Sequence, residues 1–188
     1  MTTSARVDRA SLVRRALVEL VAERGLRGAS MNAVAQRAGV ATGTAYVHYN
    51  SKDDLILAAY REVKRNLGRA AVAGHDPAAP PAEQFRLLWH RIYDHLAEDS
   101  LRARFLVQID TSPIAAEARG TPTTDDELLA VANSPDFSSL LVELPPGVLY
   151  DLGIGPAVRL AASQATPGPG SLDRVARACW RAITRPGS

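Results

Sequence analysis

Apolar positions recur three and four residues apart from near the start of the chain, the repeat of an α-helix with one face in a core. Ala10, Val13, Ala16, Leu17, Leu20 and Val21 form the first stripe and predict a helix over 9–24. Asp8 is placed to cap it and Gly25 to end it. A shorter stripe, Val34, Ala35 and Ala38, follows a second capping residue, Ser30. Gly39 comes just after it, where a helix ends most easily in a left-handed backbone. Val40 is expected beneath this turn. A third helix is predicted over 43–49, capped by Ala41 or Thr42, with Ala45 and Tyr49 facing inward. Thr44, Val47 and His48 then point outward, with Tyr46 on the flank. Two short helices joined by a glycine turn, the second with a polar and small apolar outer face, suit a major groove. An ordinary helical hairpin with a mixed surface shows the same spacing.

The next stripe is longer: Leu55, Ile56, Ala59, Val63 and Leu67 predict a helix over 51–73. Ser51 and Asp54 make a capping-box-like pair, and Asp53 and Asp54 complement the positive end of the helix dipole. This helix is the expected bridge to the rest of the chain. The stretch 74–81, GHDPAAPP, breaks it. Helical spacing resumes over 82–98 with Phe85, Leu88, Trp89, Ile92 and Leu96, and over 101–109 with Phe105 and Leu106. Pro113 opens a short helix that breaks at 120–123. Thr124 and Glu127 would box the start of a helix over 125–132, and Ser134 with Pro135 would open one reaching 144. After Pro145, Pro146 and Gly147, a helix over 148–164 contains Gly153, Gly155 and Pro156, so it is expected to kink or to begin properly near Pro156. TPGPG at 166–170 is a turn. Ser171 is expected to cap the last helix, 172–184, with the stripe Leu172, Val175, Ala176, Cys179, Trp180 and Ile183. No run of alternating β-branched residues suggests a sheet, so the fold class is all-α.

Charge sharpens this picture. The net +2 of the 188 residues divides into +5 through Lys52 and −3 beyond it. A basic head on an acidic remainder fits a phosphate-binding unit attached to something else. Residues 1–7 look unstructured, and Arg6 and Arg9 could reach a phosphate or minor groove. The apolar run from Ala16 to Val21 is cut by Glu19, so it does not resemble a signal peptide, and no 18-residue apolar run predicts a membrane span. A lone cysteine, Cys179, gives neither a disulfide framework nor a multi-cysteine metal site. A cytoplasmic protein is expected. Of the four histidines, His90 and His95 are five apart, the wrong spacing for a helical zinc pair. No metal and no cofactor is expected. Nucleophile elbows, P-loops and strand-linked G-x-G-x-x-G patterns are absent, so an enzyme is not the preferred reading.

The segment TGTAYVHYNSKDDL, with Thr42, Gly43, Thr44, Tyr46, His48, Tyr49 and Lys52 in register, resembles the recognition-helix segment of the Tet repressor family of transcription factors. The upstream AVAQRAGV resembles that family's first helix and turn. The resemblance covers about the first 60 residues, and Ala45 departs from it where a larger leucine is usual. It implies a three-helix helix–turn–helix DNA-binding domain over 1–52, linked through helix 51–73 to a helical ligand-binding and dimerisation domain over 53–188. It further implies a homodimer on double-stranded DNA with a palindromic operator, regulated by a small apolar ligand. Tyr46, His48 and Lys52 resemble the family's backbone-contacting positions. Asn32, Thr42, Thr44 and Val47 are the candidates for reading bases. Gly43 and Thr44 can offer backbone N–H groups at the start of the recognition helix, and Arg37 can add positive potential. Phe85, Trp89, Tyr93, Phe105 and Ile109 are the candidate ligand residues, with plain core as the competing reading. The final helices would form the dimer interface through Gly155, Leu160, Val175, Cys179 and Ile183, with Ala157, Ala161 and Ala162 allowing close approach. In the alternative, residues 53–188 only dimerise or dock a protein partner, without a small ligand.

Overall fold

The computed structural model describes residues 8–120, 127–164 and 167–186. Expectations for 1–7, including Arg6, and for Thr124 and Asp125 fall outside the described residues. Within them the secondary structure is helical: α1 (Arg9–Gly28), α2 (Met31–Ala38), α3 (Thr42–His48), α4 (Lys52–Val72), α5 (Pro81–Glu98), α6 (Ser100–Asp110), α7 (Ala115–Gly120), α8 (Glu127–Ala132), α9 (Pro135–Ser138), α10 (Pro146–Gly153), α11 (Gly155–Ser163) and α12 (Ser171–Ile183).

The helix ends follow from local chemistry. Asp8 accepts from the Ala10 N–H, Ser30 from Ala33 and Ser51 from Asp54, each satisfying an orphan donor of a first turn. Gly39 ends α2 in the left-handed region (φ 68), where a residue with a Cβ would be strained. Gly25 (φ 71, ψ 173) breaks α1 where the sequence placed its end, but the chain then makes one further turn to Gly28.

Three expectations need correction. The helix opened by Pro135 stops at Ser138 instead of reaching 144. Beyond it the chain straightens: Val142 donates to the Ile183 carbonyl and Arg185 to that of Leu140, around a single bridge between Leu141 and Thr184. The break expected within 148–164 is present and divides it into α10 and α11, with Gly153 and Gly155 at the junction and Pro156 in the first turn of α11. Ser171 does not cap α12; Gly170 (φ 67) takes that position, and the Ser171 hydroxyl accepts from Arg174 instead. α3 begins at Thr42 with Ala41 as its N-cap, one residue ahead of the expected start, and no side chain caps it.

The buried apolar residues form one continuous set from Val13 on α1 to Ile183 on α12. Val13, Leu17, Leu20, Val34 and Leu55 are buried together, each contributing about 1.5–3 kcal/mol by leaving water. The small N-terminal core is backed by more than the bridging helix α4, because α6 packs directly on α1. α6 in turn packs against α11, and α5 against α4, α11 and α12.

Candidate nucleic-acid interface

α3 is held from inside and open outside. Ala45 is fully buried and Tyr49 nearly so, as their four-residue spacing requires. On the other side Val47 is 80% exposed and Tyr46 51% exposed. The chain's own packing therefore makes little use of this face. His48, Gly43 and Asn32 are exposed, and Thr42 and Thr44 half-buried. A Cβ added to Gly43 would meet nothing within 4 Å, so packing does not demand glycine there. With no side-chain cap, the N–H of Gly43 is left for an outside acceptor, but the Thr44 N–H, also expected to be on offer, already donates to the Ala41 carbonyl at 2.8 Å. An open groove runs between this helix and the start of α1, with Arg9 and Leu12 on one wall and Gly43, Thr44, Val47 and His48 on the other.

The orientation of α3 is set by a side chain that the sequence reading counted only as charge. Arg14 donates through Nη1 to the Tyr49 hydroxyl at 2.7 Å and through Nε to Glu62 on α4. The Tyr49 hydroxyl itself donates to the Ala10 carbonyl at 3.3 Å. One guanidinium thus ties α1, the end of α3 and α4 together. Burial lowers the Arg14 pKa, but the bonds to Tyr49 and Glu62 outweigh it and raise the net value, so the charge is permanent. Burial also raises the Tyr49 pKa, against the opposing pull of Arg14. The signal was present: Ala10, Arg14, Leu17 and Val21 follow the buried helical spacing, with a cation among apolar residues.

Two other basic residues are less available than their count suggests. Arg37 bonds Glu23 at 2.8 and 3.0 Å and Glu19 at 3.3 Å, which raises its pKa and lowers that of Glu23. Its contribution to the positive potential is therefore largely cancelled. Lys52 is half-buried and donates to the Leu26 carbonyl at the end of α1. An ammonium has three donors, so this bond fixes the side chain without exhausting it. Because Arg14 pairs with Glu62, which lies beyond residue 52, the +5 of the N-terminal stretch overstates its field.

Residues 13–59 match the family described as bacterial regulatory proteins, tetR family, and residues 80–184 match the tetracyclin repressor-like C-terminal domain. The chain belongs to the TetR family. An HTH-type transcriptional regulator of Haemophilus influenzae is 27% identical over 186 residues, covering 96% of this chain and 98% of the relative. A crystal structure of a TetR-family regulator from that organism aligns with TM-score 0.74 at 27% identity, over 97% of this chain and all of that one. A Shewanella TetR-family structure shares the fold with TM-score 0.77 at 19% identity, over 95% of this chain and 99% of that one. The TetR-family assignment makes α2 and α3 the helix–turn–helix of a DNA-binding transcriptional regulator, not part of an enzyme. TetR-family regulators bind DNA and usually act as dimers.

The candidate residues outside the TetR helix–turn–helix fare differently. Phe85, Trp89, Phe105 and Ile109 are buried and Tyr93 is half-buried. The Trp89 indole donates to the Gly153 carbonyl at 3.1 Å and its ring stacks with Tyr93. The structure does not gather these five residues around one cavity. An apolar cleft of about 280 Å³ opens instead between α4, α5, α8, α9, α10 and α12, and of the five only Phe85 lines it. Leu88, Val131, Phe137, Leu149 and Ile183 form much of its wall, from segments too scattered for any local spacing to reveal. Of the candidate dimer residues, Gly155, Cys179 and Ile183 are buried inside the protomer and have little surface left for a second copy. Leu160 and Val175 are half-buried. The exposed large apolar residues near the C-terminus are Leu144, Val148 and Leu152, four apart along the approach to α10 and its length. Among the described residues no helix is long and apolar enough to cross a membrane, and no cluster of three metal-ligating side chains occurs.

Proposed function

We propose that this TetR-family regulator is a homodimeric repressor, released from a palindromic operator by a small apolar ligand. The observation that carries the DNA half is the unused outer face of α3, with Val47 and Tyr46 exposed beside an uncapped helix start. In this reading residues 1–52 read DNA and 53–188 bind ligand and dimerise. Asn32, Thr42, Thr44 and Val47 meet base edges. Tyr46, His48 and Lys52 meet phosphates, with Lys52 steered by its bond to Leu26. Gly43 allows close approach of the backbone to a phosphate. Two recognition helices would enter successive major grooves about 34–36 Å apart. The ligand half rests on the apolar cleft, whose wall includes Lys64 of α4, the helix that also carries Lys52. Ligand and DNA would favour different placements of α4 and so oppose each other by the same factor in both directions.

The test is operator selection from random duplexes, followed by footprinting and a salt titration of the full chain. The expected result is a two-fold symmetric footprint. The affinity should fall steeply with salt, log K dropping by about 0.9 per phosphate neutralised for each tenfold rise in salt. Protection of asymmetric single half-sites, or an affinity indifferent to salt, would overturn the two-fold DNA reading.

A further inference from the structure

We infer that Arg14 is a positioning residue for DNA binding: without touching DNA, it fixes the tilt of α3 against α4 by holding Tyr49 and Glu62 in one planar fork. The inference rests on α3 being the DNA-reading helix. It is independent of ligand release and of two-fold symmetry.

α3 has little else to hold its direction. It spans seven residues, and its buried side chain is that of Ala45, a single methyl group. A helix this short takes its stability and its angle from tertiary contacts. The next fixed point is Tyr49, the residue on which the helix ends, whose ring is also buried. Its hydroxyl accepts from Arg14 Nη1 at 2.7 Å and donates to the Ala10 carbonyl at 3.3 Å.

Arg14 has the geometry for the task. While Nη1 meets Tyr49, Nε donates to Glu62 on α4 and Nη2 to the Ser11 hydroxyl at 3.3 Å. Nη2 also lies 3.8 Å from Asp8, the N-cap of α1. A guanidinium holds its donors in a rigid plane, so seating Nε on Glu62 sets the direction from which Nη1 meets Tyr49. A lysine ammonium is a point charge on a flexible stem and carries no such direction. The Arg14 and Glu62 side chains are 21% and 33% exposed, so their pair is screened less than one in open solvent.

The position of Arg14 makes its action indirect. The groove along the outer face of α3 is walled on the α1 side by Arg9 and Leu12, not by Arg14. Arg14 lines a separate recess of about 200 Å³ between α1, α4 and the start of α6, with Glu62, Val63 and Leu101. A displacement of α4 would reach α3 through this fork, because Glu62 is its α4 end. The recess also gives Glu62 access to water, so removing Arg14 does not strand a carboxylate in the core.

The affinity of the full chain for a duplex selected by the native protein, measured over a salt series, tests this. Arg14→Met, Arg14→Lys and Tyr49→Phe should each weaken binding by about tenfold or more, the size of one lost charge-assisted hydrogen bond. The slope of log K against log salt should stay as in the native chain, whereas a lost phosphate contact would lower it by about 0.9. Arg14→Met combined with Tyr49→Phe should bind no more weakly than the worse single variant, because both break the same link. Circular dichroism and thermal melting establish that each variant is fully folded at the assay temperature. Under that condition a residue that only stabilises the fold leaves affinity unchanged. Tyr49→Phe, which removes one oxygen atom, carries the test if Arg14→Met does not fold. Native affinity in folded Arg14→Met or Tyr49→Phe, native affinity in Arg14→Lys, or a slope lower by about 0.9 in Arg14→Met would overturn the inference and leave α3 as the DNA-reading helix. Failure of the native chain to select any duplex would overturn both.

Discussion

His95 on α5 has its Nε2 buried without a hydrogen-bond partner, beside the positive charge of Arg102. Burial is the main cause that lowers its pKa; Arg102 adds to the effect, and Glu98 and Asp99 oppose it. In the unfolded chain the imidazole takes up a proton as the pH falls through about 6.5. In the folded chain it resists until lower pH, so between those two values the unfolded state binds more protons. Stability is therefore complete above about pH 6.5 and declines as the pH falls through the folded value. The loss should be small, because the ring is only partly shielded from solvent. Urea midpoints at pH 7.5 and 5.5 measure it, and His95→Gln should flatten the difference. An unchanged slope in that variant would assign the dependence to another group. The carboxylates with lowered values, Glu23 and Asp173, lose their ion-pair contributions only at more acidic pH, outside this window.

At the scale of the element, the proposed function assigns two kinds of DNA contact to α3 and the first residue of α4. Tyr46→Phe and Lys52→Ala should weaken binding to all sequences alike, because both residues are assigned to phosphates. Val47→Ala and Thr44→Ala should instead change the preferred sequence, by about 1–3 kcal/mol at one base pair. Selection on random duplexes with each variant distinguishes the two. Relaxed preference in Tyr46→Phe with none in Val47→Ala would reverse the assignment. This helix was legible in the sequence because its determinants are local: Ser30, Gly39 and the Ala45–Tyr49 spacing lie within twenty residues. The order and class of the other helices were legible for the same reason, through stripes and proline–glycine breaks. What could not be read was long-range. Arg14 meets Glu62 across 48 positions, and the wall of the cleft joins Lys64 to Ile183. The stripe on α12 did not reveal which face it meets, and the structure turns Cys179 and Ile183 into the protomer. The short end of α9 depended on the pairing of Leu141 with Thr184, a contact across 43 positions that no local spacing encodes.

At the scale of the whole molecule, the proposed dimer needs a self-complementary patch that the protomer leaves uncovered. Val148 and Leu152 on α10 meet that condition, at 40% and 39% exposure. Leu152→Glu should give monomers that fold normally and lose operator binding, because the charge enters an apolar contact only in the dimer. Val175→Glu tests α12 in the same way. Sedimentation at micromolar protein reads both, and an unchanged dimer in both would place the contact elsewhere. The arrangement of aromatic rings also gives the molecule a built-in optical asymmetry. Its two tryptophans, Trp89 and Trp180, both lie beyond α4. Trp180 rests against Phe85 and Phe137, two residues of the cleft wall, at centroid distances of 5.3 and 5.8 Å. The helices that face DNA contain no indole. Indole emission from the unmodified chain therefore watches the cleft and is blind to the helix–turn–helix, so a spectral change on adding operator would be a signal relayed through the protein rather than one produced where the DNA binds.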